Sequence, residues 1–160
     1  MKALLQRVSS AAVRVDGAVV GACGPGLLVL LCVMQGDGPS EAARLAEKVA
    51  HWRCFPRADP RQPGAIGAGR MEVSVLDRGL EVLVVSQVTL AADGRKGRRP
   101  SLDLAAPPEL GQALCEAFVA ALARLGLRTA SGRFGALMEV ELTNHGPLTF
   151  LLEEPPQVLT

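Results

Sequence analysis

Few side chains in this sequence could act as a nucleophile, a general base or a metal ligand. The only histidines are His51 and His145, and no cysteine or carboxylate stands at ligand spacing around either. We therefore expect no metal site and no cofactor. A triad of Ser86, His145 and a carboxylate would join residues that no sequence pattern connects. His51, beside Trp52, is expected to be a partly exposed helix residue.

The sequence also lacks the usual signatures of covalent and phosphate chemistry. It contains no G-x-S-x-G elbow and no glycine-rich phosphate loop. Cys23, Cys32, Cys54 and Cys115 form no C-x-x-C pair and lie among apolar neighbours, which favours buried, reduced thiols over disulfides. Redox chemistry is therefore not expected.

Composition predicts one compact domain in the cytoplasm. The 160 residues are 49% hydrophobic and 21% charged, enough to bury a core without metals or disulfides. The first residues do not form a secretory signal, and no apolar run is long enough to span a membrane. With 17 basic and 16 acidic residues, the chain is not a generally basic nucleic-acid binder. The exception is the basic loop Arg95-Lys96-Gly97-Arg98-Arg99, which could contact RNA phosphates or could simply be solvated.

Several strands are expected to position these residues. Asp16-Gly17 favours a hairpin between residues 4–15 and 18–23. The apolar run 27–33 predicts a strand buried on both faces at the centre of a sheet. Residues 82–90 form a second β-rich run.

Two helices and a long loop complete the expected domain. One helix should run from about Pro39 to Arg53, with Ser40 as a cap, and a second from Pro107 to the stop at Gly126. Residues 56–70, with three prolines and three glycines, predict a long exposed loop. The fold class is therefore α+β, a strand-rich single domain with two main helices.

Near the C-terminus, residues 137–142 and 148–152 flank Asn144-His145-Gly146-Pro147. From the residues alone, this segment predicts strands around a hairpin turn. The prolines that follow cannot extend a central strand. We therefore place the domain at residues 1–152 and a loose tail at 153–160.

Two segments resemble the D-aminoacyl-tRNA deacylase family, whose signatures are an SQFTL strand and an N-x-G-P-V-T turn. They read here Ser86-Gln87-Val88-Thr89-Leu90 and Asn144-His145-Gly146-Pro147-Leu148-Thr149. Four further segments are similar to the family in the same order, so that the resemblance covers nearly the whole chain: Leu5-Gln6-Arg7-Val8, Ala91-Ala92-Asp93, Arg99-Pro100-Ser101 and Gly132-Arg133-Phe134. Val88 replaces the family's Phe and Leu148 its Val, and both the 56–70 loop and the tail look longer than typical.

The resemblance implies a β-barrel-like homodimer that hydrolyses the ester bond of D-aminoacyl-tRNA, and of glycyl-tRNA mischarged on tRNA-Ala. In this family the Gly-Pro bond is cis, and the turn of one subunit enters the active site of its partner. Main-chain carbonyl groups of that turn exclude L-aminoacyl groups, whereas glycine has no side chain to exclude. The expected partners are the aminoacylated end of tRNA and a second copy of the chain, with no DNA and no membrane.

The resemblance also assigns site residues. The catalytic set is Ser86, Gln87, Thr89, Gly146 and Pro147. The substrate-binding set is Arg7, Val88, Leu90, Asn144, Thr149, Arg98 and Arg99.

Within these sets, Arg7 corresponds to the arginine that braces the Gly-Pro turn, although a solvated strand arginine is the alternative. Thr89 has no activating base in its motif and is expected to position the substrate. Backbone amides of residues 87–90 could supply oxyanion donors, and the 2′-hydroxyl of the terminal adenosine is expected to take part.

Two other functions stay open. A non-catalytic tRNA-binding module of the same fold is suggested by Val88 in place of Phe, and a deacylation assay distinguishes it from the enzyme. A small-ligand-binding dimer unrelated to RNA would have no affinity for tRNA and no salt-dependent binding.

Overall fold

The computed structural model describes residues 1–60, 64–95 and 97–156. Within these residues, six strands form one mixed sheet and two α-helices pack against it. The elements in chain order are β1 Lys2–Val15, β2 Ala18–Cys23, β3 Gly26–Cys32, α1 Pro39–Ala50, β4 Glu81–Ser86, α2 Pro108–Arg124, β5 Arg128–Ser131 and β6 Glu139–Glu153.

The sheet is ordered β2-β1-β3-β4-β5, and β6 also pairs with β1. Strand β1 is antiparallel to β2, β3 and β6, whereas β3, β4 and β5 are parallel. Asp16 and Gly17 both have positive φ, 51° and 78°, which confirms the predicted hairpin. The far edges approach each other so closely that a β-carbon on Gly21 of β2 would collide with the carbonyl of Ser131 in β5. The sheet is therefore nearly barrel-shaped.

The hydrophobic core lies on both faces of β3, which confirms the prediction that this strand is central. Leu27, Val29 and Leu31 face a cluster that includes side chains from both helices, and Leu28 faces a smaller cluster inside the curved sheet. This double burial explains why the run is apolar at almost every position.

Helix α1 differs from its prediction at both ends. Gly38 is its N-cap, and Ser40 lies inside the first turn, so the predicted Ser40 cap was wrong. The Glu41 carboxylate instead accepts a hydrogen bond from the Gly38 amide at 2.8 Å. The helix ends at Ala50, three residues before Arg53. Helix α2 agrees with its prediction, and Gly126 beyond its end has a φ of 95°.

The expected exposed loop at residues 56–70 is partly anchored to the core. Ile66 is buried, and the Arg78 guanidinium donates hydrogen bonds to the carbonyls of Pro56 and Ala65, each at 2.6 Å, and of Ile66 at 3.3 Å. Arg78, outside the loop in sequence, thus satisfies main-chain groups that water would otherwise solvate. Residues 61–63 lie outside the described part of the chain.

The chain also remains ordered slightly beyond residue 152. Glu153 belongs to β6, and the Glu154 amide donates to the carbonyl of Met1 at 2.9 Å. The Glu154 carboxylate pairs with Arg44 and Lys48 of α1 at 2.8 and 3.1 Å. The predicted loose tail therefore cannot begin before Pro155, and residues 157–160 lie outside the described residues.

Glu41 should make the folded protein sensitive to acid. Burial acts to raise its pKa, but hydrogen bonds from Arg44, the Gly38 amide and Ser40 outweigh burial and lower the pKa to about 2. Because the folded pKa lies below the ordinary value of 4.5, the stabilisation is present above pH 4.5 and is lost as the pH falls towards 2. Glu41→Gln should therefore flatten the fall in Tm over this range, as measured by thermal unfolding at successive pH values.

The matched control is Glu47→Gln, which changes an exposed glutamate of the same helix and should keep the parent's acid slope. An unchanged slope in Glu41→Gln would show that other carboxyl groups determine acid unfolding.

Candidate active site

The first motif lies where β4 ends. β4 stops at Ser86, and residues 88–91 form a short 3₁₀ helix, so the predicted strand to residue 90 was wrong in its second half. The reason is the neighbouring strand: pairing with β3 ends at Leu31 and Ser86, and the Gln87 amide still donates to the Leu31 carbonyl at 2.7 Å. Beyond that point no strand continues beside the chain, and the β propensity of Val88 and Thr89 has no ladder to join.

The 3₁₀ helix leaves Val88 and Thr89 exposed and fixes a polar contact between two motif side chains. Gln87 Nε2 donates a hydrogen bond to Thr89 Oγ1. The first closing bond of the turn runs from the Leu90 amide to the Gln87 carbonyl at 3.2 Å. The amides of Val88 and Thr89 precede that bond and lie outside the hydrogen-bond ladder of the turn.

A cavity of about 500 Å³, which we call the main cavity, opens beside this motif at the carboxyl ends of β3 and β4. Ser86 and Gln87 supply its polar side chains, and Val88 stands at its wall. The remaining walls are mostly apolar and come from the ends of β3 and β4, from α2 and from the segment that leads into β6. They include Leu31, Val33, Val85, Cys115, Phe134, Leu137, Met138 and Val140. The main cavity can therefore accept a flat or apolar group beside a few polar contacts.

None of the residues that line the main cavity in the described structure is a histidine, a carboxylate or a basic residue. Its two thiols are poor nucleophiles: burial raises the pKa of Cys115 to about 12, with Cys32 and Glu116 acting in the same direction, and burial also raises the pKa of Cys32. Both thiols are protonated at neutral pH. Among the described residues that line the main cavity, the Ser86 hydroxyl thus has no histidine or carboxylate partner to activate it.

The second motif forms a bulge inside β6, and the predicted hairpin turn was wrong. Asn144 pairs with Val8 and Thr149 with Gln6, so residues 145–148 stand opposite Arg7 alone. Both flanking segments pair with the same long strand β1, which keeps them in one direction and forces the extra residues outward. The Gly146-Pro147 bond is cis, as the resemblance implied, and both residues are exposed.

Arg7 holds the base of this bulge. Its side chain is buried, with 7% of the residue exposed, so the solvated alternative was wrong. Nε donates to the His145 carbonyl at 3.0 Å and Nη1 to the Cys54 carbonyl at 2.7 Å, while the guanidinium lies 6.0 Å from the ring centre of Phe55. Burial lowers the pKa of Arg7, and the Cys54 thiol acts in the opposite direction. The bulge is thereby tied through Arg7 to the segment after α1.

Asn144 and Thr149 close the bulge from its two ends. Asn144 Oδ1 accepts from the Leu148 amide at 3.0 Å, and Asn144 Nδ2 donates to Thr149 Oγ1 at 3.1 Å. Gln6 Nε2 also donates to Thr149 Oγ1, at 3.4 Å. Asn144 and Thr149, which were assigned to substrate binding, thus contact each other. This geometry indicates that they stabilise the bulge.

The basic loop is less positive than its sequence suggests. Arg95 forms an ion pair with Asp93 at 2.7 Å, and its hydrogen bonds lower the pKa of Asp93 to about 2. Arg98 and Arg99 are exposed, with no ion pair to the described residues. Lys96 lies outside the described residues.

Of the twelve predicted site residues, Ser86, Gln87 and Val88 line the main cavity of their own chain. Thr89 and Leu90 follow directly in the 3₁₀ helix, whereas the bulge residues do not line that cavity. Sequence reasoning missed Cys115, Leu137 and Met138. Phe134 belongs to the family-like segment Gly132-Arg133-Phe134, but the resemblance assigned that segment no role in the site.

The two histidines stand apart from the main cavity. His51 was predicted to be a partly exposed helix residue; it is exposed, but it is the C-cap just beyond the end of α1. Its Nδ1 lies 3.0 Å from the Glu47 carbonyl oxygen. Within the described residues, no three histidine, cysteine or acidic side chains are grouped to hold a metal ion, and no helix has the length and apolarity needed to cross a membrane.

Solved structures share this fold over almost the whole chain. One titled "c-Myc DNA Unwinding Element Binding Protein" is 36% identical with a TM-score of 0.83, covering 97% of this chain and 99% of its own. A second, described as a probable eukaryotic D-amino acid tRNA deacylase, is 17% identical with a TM-score of 0.74 and covers 94% and 97%.

Sequence comparisons give the family. The family model for D-Tyr-tRNA(Tyr) deacylase matches residues 4–153. A D-aminoacyl-tRNA deacylase of Ruegeria pomeroyi is 52% identical over 153 residues, which are 96% of this chain and 99% of the relative. One of Roseiflexus castenholzii is 53% identical over 96% of this chain and 92% of the relative. The motifs at the main cavity and in the bulge thus stand in a chain that belongs to the D-aminoacyl-tRNA deacylase family of hydrolases.

Proposed function

We propose that this protein hydrolyses the ester bond between a D-amino acid and the 3′-terminal adenosine of tRNA. The observation that carries the proposal is the apolar main cavity, which opens directly beside the Ser86-Gln87-Val88 motif. Its volume of about 500 Å³ suits a small ligand, and its lining includes Phe134, an aromatic side chain of the kind on which nucleobases stack.

The reaction needs no side-chain nucleophile. A water molecule adds to the ester carbonyl, the bond to the ribose oxygen breaks, and that oxygen takes up a proton, which yields free tRNA and the amino acid. Backbone amides of residues 87–90 would stabilise the oxyanion, and the neighbouring 2′-hydroxyl of the adenosine would help to orient the water. The amides of Val88 and Thr89 support this assignment because they lie outside the ladder of the 3₁₀ helix.

We propose further that the protein is a homodimer in which the Gly146-Pro147 bulge of each chain enters the main cavity of the other. Two observations support this arrangement. The bulge is exposed and does not line its own cavity, and that cavity has exposed apolar side chains at its mouth: Val88 is 50% and Leu137 92% exposed. A twofold axis would complete both sites equally.

In that arrangement, carbonyl groups of the bulge would face the α-carbon of the substrate and exclude L side chains. Glycine has no side chain to exclude, so glycyl-tRNA, including that mischarged on tRNA-Ala, should also be a substrate. The exposed Arg98 and Arg99 would contact phosphates of the acceptor end. The protein would act in the cytoplasm, where tRNA is charged.

The decisive experiment compares hydrolysis of D-aminoacyl-, L-aminoacyl- and glycyl-tRNA by the purified protein. We expect release from the D-aminoacyl and glycyl substrates and none from the L-aminoacyl substrate. Binding of tRNA without any release would instead identify a non-catalytic module. Light scattering tests the dimer, and a fully active monomer would contradict the shared site.

Thr89→Ala should weaken hydrolysis by about tenfold, far less than the 10⁴-fold or greater loss expected for a true nucleophile. The physical reason is that Gln87 is the side chain bonded to the Thr89 hydroxyl, and an amide cannot act as its general base. Single-turnover rates for Thr89→Ala and Thr89→Ser give the comparison. A loss near 10⁴-fold in Thr89→Ala, with normal tRNA binding, would make Thr89 a chemical participant.

A further inference from the structure

A second cavity, of about 490 Å³, adjoins the main cavity and shares the lining residues Ser86, Cys115 and Phe134 with it. We call it the side cavity. It lies between the exposed face of α2 and the ends of β4 and β5. Its other lining residues include Gln112, Glu116 and Arg133.

The topology explains why the side cavity is open. Pairing between β4 and β5 ends at Val84 and Ser131, so Ser86 extends past the last paired residue of β5. Beyond the carboxyl ends of parallel strands, the chain leaves the sheet and a crevice remains, which is where α/β sheets commonly bind ligands. Because Phe134 stands between the two cavities, groups bound on its two sides would be neighbours.

The side cavity differs from the main cavity in its charged groups. Arg133 lines it and is exposed, with no ion pair to the described residues. Glu116 also lines the side cavity, and its carboxylate accepts a hydrogen bond from Gln112 Nε2 at 3.0 Å through Oε1 and retains further acceptor capacity. A ligand for this cavity should therefore combine a negative charge with a hydrogen-bond donor on a flat or small group.

We infer that the side cavity binds the cytidine nucleotide that precedes the terminal adenosine in the CCA end of tRNA. Arg133 would contact the phosphate that joins the two nucleosides, as cations do along single-stranded nucleic acid. Glu116 would accept from the exocyclic amine of cytosine, the donor that carboxylates recognise on this base. Uracil presents a carbonyl oxygen at the same position and would be repelled.

This inference rests on the proposed function, since it assumes that the adenosine occupies the main cavity. It extends the function because a contact to the cytidine would make the enzyme bind the CCA end shared by all tRNAs more tightly than other aminoacyl esters. Cytidine recognition by Glu116 would be independent of the amino acid.

The test uses three non-hydrolysable analogues in which an amide replaces the ester: D-aminoacyl-adenosine, D-aminoacyl-cytidylyl-adenosine and D-aminoacyl-uridylyl-adenosine. Calorimetry with the parent protein should show the cytidylyl analogue binding at least about tenfold more tightly than the mononucleoside analogue, the gain expected for one further bound nucleotide. The uridylyl analogue should fall between them.

Two variants assign the contacts. Arg133→Ala should remove most of the gain in binding affinity that both dinucleotide analogues show over the mononucleoside analogue. Arg133→Lys should restore part of that gain in affinity. Glu116→Ala should abolish the preference for cytidine over uridine. The matched controls Arg124→Ala and Glu109→Ala change exposed charges of α2 that do not line the side cavity, and they should behave as the parent.

Equal affinities of the parent for the mononucleoside and cytidylyl analogues would overturn the inference, as would an unchanged cytidine preference in Glu116→Ala. The proposed function fails in a different way, through absence of D-aminoacyl-tRNA hydrolysis by the parent. A parent that hydrolyses D-aminoacyl-tRNA yet gains nothing from the second nucleotide would disprove the side-cavity site alone.

Discussion

Arg7→Ala should lower kcat/KM for D-aminoacyl-tRNA by about a hundredfold, the loss expected when a small displacement moves part of an active site. The guanidinium joins the His145 and Cys54 carbonyls, so its removal leaves two main-chain acceptors without their donor and frees the bulge. If the bulge excludes L-aminoacyl groups, the preference for D over L substrates should fall in the same variant. Paired hydrolysis assays on the two substrates measure both effects.

Arg7→Lys provides the matched control because it keeps the charge. A lysine ammonium cannot reproduce the two directed bonds of the guanidinium to the His145 and Cys54 carbonyls, so we expect a D-to-L ratio between those of the parent and Arg7→Ala. Thermal unfolding must show that both variants fold. If folded Arg7→Ala keeps the parent's ratio of D- to L-aminoacyl-tRNA hydrolysis, exclusion of L-aminoacyl groups does not depend on the hydrogen bond between Arg7 and the His145 carbonyl.

Gly26→Ala should reduce the free energy of unfolding by about 3 kcal/mol or more, which is a large part of the 5–15 kcal/mol typical of a domain. Gly26 pairs with Val8 on one side and Glu81 on the other, at the start of the central strand. A β-carbon there would collide with the Glu81 main chain, whose backbone cannot move without opening the β3–β4 ladder. We expect a fall in Tm of about 10 °C, or no soluble protein.

Gly24→Ala is the control for this change. Its added carbon would lie 3.5 Å from a side-chain oxygen of Glu81, an ordinary contact, so Tm should stay close to that of the parent. A parent-like Tm in Gly26→Ala would mean that β3 and β4 can separate locally at little cost.

The sequence predicts those parts of the fold that depend on local pattern. The Asp16-Gly17 hairpin, the buried strand β3 and helix α2 all follow from turn residues or periodicity within one segment. Errors arise where a distant partner decides the outcome. Residues 88–90 have strand-like composition, but the neighbouring strand has already ended, and the second motif cannot reveal from sequence that both of its flanks pair with β1.

In the site, too, the parts formed by one continuous segment are predictable from the sequence, and the parts that distant segments bring together are not. The two motifs locate one wall of the main cavity and the bulge, because each is a continuous segment. The opposite walls come from α2 and from residues 134–140, which only the tertiary fold brings beside Ser86. Glu116 and Arg133 belong to no motif with a known role, and their joint position at the side cavity is visible only in three dimensions.

The hydrogen bond from Arg7 goes to the backbone carbonyl oxygen of His145 and not to the His145 imidazole. Any amino acid that keeps the same backbone path offers that oxygen, so substitution at this position can accumulate during evolution without loosening the bulge. Alignments scored by residue type would then rank position 145 as dispensable beside Gly146 and Pro147.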